Sequence, residues 1–367
     1  MAHNKEILDE LGSNLCECNV QEVFKLIDEG VITERDLIEG KLATPKVLDT
    51  LRNYEYSRRF LPDLRSAMDN SSAECKPGYT DVYFFGTPGS GKTSILMGLA
   101  SCNSLYIDLS SGGGRYAEAL QQYTAEGMTV PSTSGMFVCT LNAKIRSKAT
   151  PNNVHKINLV EMSGQELSYT IANNECITLF DSIGPGAELL KNDNRKVFFL
   201  IIDPTTNIVR INREKEIGKD AEGKPITGLE YCIVNQRTIL QKMVNLMESP
   251  QNREIMRKVD SIHIIMTKAD TLGNAVERED KALKIFQDKY SGDILEAMVD
   301  LCKEHNINAQ SNFHPKLYTF SLGSFYLGGL FEYDPANSDH LVEAIEETIQ
   351  SRKNKSWWNR IKRIFNK

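Results

Sequence analysis

Hydrophobic positions along this chain fall into two patterns. Short, nearly continuous apolar runs at 81–85, 105–109, 137–145, 157–162, 197–202, 262–266 and 317–320 read as buried strands, and helical spacing fills the stretches between them. Strands of that kind, separated by helices, predict an α/β domain built on a mainly parallel sheet covered on both faces. Ligands of such sheets sit beyond the carboxyl ends of the strands.

The first 67 residues are patterned differently. Val20, Val23, Phe24 and Ile27 recur at i, i+3, i+4 and i+7 and make one apolar stripe. Thr33 with Asp36, and Thr44 followed by Pro45, are helix-start signals, each ahead of an apolar pair. A small all-α bundle over 1–67 is expected, suited to holding a protein partner. The polar, breaker-rich stretch 68–79 reads as a linker, 80–350 as the α/β domain. Between 203 and 260 the chain is longer than one strand-to-strand connection needs. Apolar stretches at 208–211 and 229–234 flank a glycine-containing charged turn and predict a hairpin, with a helix at 236–247. This insertion at about 204–260 is a candidate surface for a homodimer or another partner.

Composition sharpens the two ends. The formal charge of the 367 residues is −6, yet the last seventeen hold seven Lys or Arg and no acid. An acidic body argues against nucleic acid as a ligand, and a basic end calls for a local acidic partner. Trp357, Trp358, Ile361, Ile364 and Phe365 fall on one helical face with Arg360, Lys362, Arg363 and Lys367 around it. That is the composition of a helix lying on an anionic membrane surface, so 351–367 is expected to be a peripheral tail. Eight scattered cysteines with no CxxC pair, and six dispersed histidines, suggest reduced thiols in a cytoplasmic protein rather than a metal site. The localisation expected is cytoplasmic, peripheral on the cytoplasmic face of the membrane.

The chemistry concentrates in FFGTPGSGKTS, at the junction of a predicted strand and a predicted helix. Gly86 through Gly91, Lys92 and Thr93 fit G-x-x-x-x-G-K-[ST], the phosphate-binding loop. Gly86, Gly89 and Gly91 permit backbone that turns successive N–H groups toward phosphate oxygens, and Ser90 and Ser94 lie in the same cradle. The helix N-terminus adds partial positive charge, Lys92 reaches the β- and γ-phosphates, and the Thr93 hydroxyl is a Mg²⁺ ligand.

Two further stretches follow the loop in order. Glu161-Met162-Ser163-Gly164-Gln165, after an apolar strand, resembles the D-x-x-G-Q motif of TRAFAC-class P-loop GTPases, the superclass of translation factors, Ras-like proteins and septins. Thr267-Lys268-Ala269-Asp270, after another, resembles their [NT]-K-x-D signature. The likeness spans roughly 81–347, with a fainter one to bacterial double-GTPase proteins in SSGGGRY and the insertion. It implies a GTP-binding and GTP-hydrolysing switch, with GDP as product and Mg²⁺ as cofactor. Glu161, in place of the usual aspartate, becomes the metal-side acid, Gly164 the γ-phosphate sensor and Gln165 the residue that orients water. Asp270 selects guanine through two hydrogen bonds, and the Lys268 stem lies along the base; Thr267 opens the same loop, and Ser321 and Leu322 form the last base-contacting turn. Thr133, or else Thr129, supplies the switch threonine that completes Mg²⁺ coordination, and Arg115 is a candidate internal arginine finger. Two alternatives remain open: a nucleotide-binding scaffold that does not hydrolyse, and an ATPase using Asp203, which ends the run VFFLIID.

Overall fold

In the computed structural model, the residues described are 2–13, 20–130, 137–146, 154–164, 168, 186–219 and 224–365. All seven predicted runs form strands of one sheet. They are β1 Thr80–Phe85, β2 Leu105–Ile107, β3 Val138–Arg146, β4 Val154–Met162, β5 Arg195–Ile202, β8 Val259–Met266 and β9 Leu317–Thr319. The order across the sheet is β2-β3-β4-β1-β5-β8-β9. The β1–β4, β1–β5, β5–β8 and β8–β9 pairs are parallel, whereas β2 and β3 form an antiparallel edge. Parallel neighbours bring the ends of β4, β1, β5 and β8 to one rim, which is where the site forms.

Alternation along the strands separates two cores. Val82 and Phe84 of β1 join Val197, Phe199 and Ile201 of β5 beneath the Lys92–Ser101 and Gly114–Ala125 helices and the first half of the Pro335–Phe365 helix. Tyr83 and Phe85 join Phe198, Leu200 and Ile202 on the other face, beneath the Gln236–Glu248, Ala275–Tyr290 and Asp293–His305 helices. Both faces of β1 are therefore buried, which explains a strand without polar alternation. Phe84 stacks on Phe199 at 5.6 Å, and Phe85 meets Phe198 edge-on at 5.0 Å. Such pairs add to the area they bury.

The N-terminal bundle has its own core around Val23, Ile32, Leu37, Val47, Leu48 and Leu51. Its helix starts form as the sequence requires: Thr33 and Asp36 make a reciprocal capping box, and the Thr44 hydroxyl caps the Val47 amide. Met128, Leu327 and Leu330 of the α/β domain belong to the same cluster, and Leu327 N–H donates to Leu42 O at 3.2 Å. The bundle is thus docked, not tethered. The Leu64–Asp69 helix belongs to the other side of this boundary, because Leu64 packs in the sheet's core against the 114–125 helix.

The insertion is a hairpin, longer than its apolar positions indicate. β6, Ile208–Lys219, pairs antiparallel with β7, Pro225–Asn235, and the Gln236–Glu248 helix follows directly. The short β10 Gly323–Phe325 and β11 Phe331–Tyr333 close a second hairpin beyond β9.

Candidate nucleotide-binding site

Strand β1 ends at Phe85 and the next helix begins at Lys92, so the six intervening residues form the turn at the centre of the rim. Gly89 and Gly91 take φ of +71° and +88°, where a side chain is strained. Gly86 has no room for one: a Cβ there would lie 2.6 Å from Ser90 Oγ and 2.9 Å from Ile201 Cβ. The loop is held from the base side by Thr267, whose hydroxyl donates to Ser90 O at 2.7 Å and lies 3.1 Å from Ile202 O. Ser94 sits in the first turn of the helix.

Lys92 is buried, its ammonium donating to Gly86 O and Thr87 O at 2.9 Å each. Burial lowers its pKa to about 8, against the pull of Glu161. Gly164 packs directly on this lysine: a Cβ at 164 would come within 2.4 Å of Lys92 Nζ. That contact brings the predicted γ-phosphate sensor onto the phosphate loop.

Glu161 lies 1 % exposed at the end of β4. Thr93 Oγ1 donates to its Oε1 at 2.5 Å and the Tyr116 hydroxyl to its Oε2 at 2.7 Å. Burial raises the acid's pKa, while the two hydroxyl bonds and Lys92 oppose the rise. This donor set fits Mg²⁺. Thr93 donates its hydroxyl hydrogen bond to Glu161 and keeps oxygen lone pairs for a cation, and a buried acid solvated by hydroxyls leaves its charge for a cation to balance. Thr93 and Glu161 are the residues that would hold the ion. Thr133 and Gln165 lie outside the described residues, and Thr129 is exposed.

Beyond the end of β8 Lys268 adopts φ of +51°, and Ala269 N–H donates to Phe320 O at 3.1 Å, joining the Thr267–Asp270 loop to the turn of Ser321 and Leu322. Both of these are buried, and Asn337 donates to Ser321 Oγ at 3.4 Å. Burial raises the pKa of Asp270, and its Oδ1 has no hydrogen-bond partner among the described residues. An acceptor in that condition costs free energy until a donor arrives.

Asp203 lies on the Lys268 side of the rim. Its carboxylate pairs with Lys268 Nζ at 2.6 Å and accepts from Thr205 N–H and Oγ1 at 2.8 and 2.6 Å. Glu161 is the acid on Thr93. Gln236, at the root of the inserted hairpin, bonds Asp203's backbone in both directions, so the hairpin's base is tied to the Lys268 loop. Arg115 lines a groove with Asp63, Ser66 and Glu118 between the 64–69 and 114–125 helices.

Tyr116 and the Asp203–Lys268 pair went unpredicted at these roles. Tyr116 follows Arg115 in a glycine-rich stretch and carries no motif signal; Asp203 was visible only as a carboxylate at a strand end.

The rim carries a P-loop-like turn between a strand and a helix, and its motifs resemble those of TRAFAC-class P-loop GTPases. No protein-family model and no curated protein sequence matches the chain. Among solved structures it is similar to a putative nucleolar GTP-binding protein 1 from Plasmodium falciparum, at 12% identity and TM-score 0.34 over 80% of this chain and 98% of that one. It is also similar to the signal recognition particle receptor SRβ-GTP/SRX complex of Chaetomium thermophilum, at 10% and 0.30 over 68% and 92%. The cytosolic domain of the T. maritima FeoB iron transporter in a GDP form gives 15% and 0.27 over 73% and 63%. Likeness of this degree carries no residue-level correspondence, and the site's geometry stands on its own.

Proposed function

We propose that the chain binds GTP with Mg²⁺ and hydrolyses it slowly, as a nucleotide-controlled switch in the cytoplasm. The observation that supports guanine is the desolvated Asp270 Oδ1, without a hydrogen-bond partner among the described residues, in a loop whose Thr267 packs on the phosphate-loop residues Ser90 and Gly91. Guanine presents N1–H and an exocyclic amine to such a carboxylate, and adenine cannot.

Lys92 and the loop's N–H groups hold the β- and γ-phosphates, Gly164 reports the γ-phosphate, and Gln165 orients the attacking water. Bound Mg²⁺ offsets charge on the β- and γ-phosphate oxygens. Thr93, backed by Glu161, and Thr133 are its protein ligands in this reading. Without a supplied arginine such sites turn over on the order of 10⁻⁴ s⁻¹, so a partner or a second copy is expected to accelerate the reaction.

Equilibrium binding of GTP, ATP and XTP tests this. Wild-type protein should prefer GTP, and Asp270→Asn should move the preference toward XTP, whose donor and acceptor pattern is inverted. Equal retention of ATP and GTP overturns it. Multiple-turnover phosphate release separates a GTPase from a scaffold that only binds.

The docked bundle is the proposed protein-binding module, and residues 351–367 the proposed contact with anionic membrane. The Pro335–Phe365 helix runs into that tail, and among the described residues no helix is long and apolar enough to cross a membrane. Flotation on anionic liposomes should be lost when 351–367 are removed.

A further inference from the structure

Glu161 stands where the resembled GTPases carry aspartate, and its side chain is one methylene longer. The structure shows how that length is used. One oxygen receives the Thr93 hydroxyl and the other the Tyr116 hydroxyl, so the carboxylate is stretched between the phosphate-loop helix and the Gly114–Ala125 helix. Tyr116 is itself fixed. It is fully buried, its ring meets Phe137 at 5.2 Å in a T-shaped contact, and Phe137 O accepts the Ser163 N–H at 2.9 Å. The backbone beside the acid and the phenol beneath it are therefore held by one aromatic pair.

We infer that Tyr116 is the positioning residue for the metal-side acid: its hydroxyl anchors one oxygen of Glu161 so that the other remains on Thr93, which a glutamate at this place requires. A glutamate side chain has three rotatable bonds and a broad terminal torsion. With a single partner, the carboxylate can turn away from Thr93; with two, on different helices, it has one orientation. An aspartate at 161 is shorter by roughly one C–C bond, about 1.5 Å. It cannot keep hydrogen-bond distance to both hydroxyls, so the glutamate and the tyrosine act as a pair. This inference rests on the GTP and Mg²⁺ reading above and adds to it a residue with no counterpart in the motifs.

The test is the Mg²⁺ dependence of release of a fluorescent GDP analogue, followed by stopped flow in the full-length protein. Tyr116→Phe keeps the buried ring and removes only the hydroxyl, and its thermal midpoint is checked against wild type. The Mg²⁺ concentration that half-slows release should rise roughly tenfold in Tyr116→Phe, the order of one hydrogen bond to a charged group. Release in EDTA should be unchanged, because the phenol acts through the acid. In a Glu161→Asp background the same substitution should have no further effect. An unchanged Mg²⁺ midpoint in Tyr116→Phe, an equal acceleration in EDTA, or an undiminished effect in the Glu161→Asp background would each overturn the inference. Tight, Mg²⁺-sensitive binding by wild type with any of those results leaves the nucleotide reading standing. Failure of wild type to bind guanine nucleotide at any Mg²⁺ concentration removes both.

Discussion

The two ends of the central sheet both carry buried polar groups and use them in opposite ways. At the amino end, Asp81 receives Asn158 Nδ2 and Asn194 Nδ2 at 2.6 and 2.9 Å on one oxygen and Asn192 Nδ2 at 2.7 Å on the other. Lys196, fully buried beside it in register, donates to Asn192 O, Asn192 Oδ1 and Asn194 O at 3.0, 3.0 and 2.7 Å. Asn158 and Asn194 use what remains on Lys76 and Gly78, which staples residues 76–78 across the strand ends. Among the described residues each of these carboxylate, amide and ammonium groups has a partner. At the carboxyl end Asp270 Oδ1, Thr87 Oγ1 and Ser90 Oγ are buried without partners among the described residues. A satisfied network specifies structure, whereas open valences gathered on motif loops at one rim are groups that a ligand can complete.

Breaking the closed end should have the largest effect. Asp81→Ala leaves three amide donors without their acceptor and takes the opposite charge away from beside the buried Lys196 ammonium, and about 3–5 kcal/mol of stability should be lost. Urea unfolding measures it; a loss below 1 kcal/mol would show that the network is looser than its distances imply. At the open end the signs reverse. Asp270→Ala removes an acceptor that the folded protein leaves unsatisfied, so stability should hold or rise slightly. GTP affinity should fall on the order of 10²–10³-fold, the worth of two hydrogen bonds to a carboxylate. Isothermal titration beside the same urea series separates the two ends.

The open end was largely legible in the sequence and the closed end was not, for a physical reason. The phosphate-loop and base-loop motifs that these stretches resemble put glycine, lysine and aspartate at fixed spacing within a few residues, so Gly86–Thr93 and Thr267–Asp270 stand out locally. Asp81, Asn158, Asn192, Asn194, Lys196 and Asn142, whose Nδ2 donates to Asn158 Oδ1 at 2.7 Å, come from four strands and a loop, and only strand register makes them neighbours. An asparagine on a strand looks the same in sequence whether it faces solvent or closes a buried network. Tyr116 was hidden in the same way, forty-five residues from its partner. Helix starts at Thr33 and Thr44, and the strand runs, were readable because capping and burial act over three to six residues. The 64–69 helix, whose Leu64 packs in the sheet's core, straddles the expected boundary at 67, because a six-residue segment does not say which of two cores it faces.

A smaller effect should come from Asp203, which lies between these cases: it is buried and paired, but its partner belongs to the base loop. Asp203→Asn is nearly isosteric and keeps an oxygen for Thr205, while it releases Lys268 from its ion pair. GTP affinity should drop roughly tenfold through loss of Lys268 positioning, within the range of one charge-assisted hydrogen bond. ATP hydrolysis lost together with an unchanged GTP affinity would return Asp203 to the role of a metal acid.

The smallest effect concerns pH, and it distinguishes a carboxylate that waits for a ligand from one that is already satisfied. Burial raises the pKa of Asp270 above the ordinary aspartate value of 3.8. Guanine's N–H groups bind only the carboxylate form, so binding expels the proton. Affinity should be flat well above the raised pKa and fall by up to about tenfold per unit as pH drops through it. Because the shift is upward, the loss should begin at a higher pH than an unperturbed aspartate would give. Titrating GTP affinity from pH 7.5 downward measures it, and Asp270→Asn with XTP serves as the partner experiment, since an amide does not titrate. A parallel fall in both would place the titrating group on the phosphates or elsewhere in the cleft, whereas a fall confined to the wild type assigns it to the oxygen that the fold leaves open.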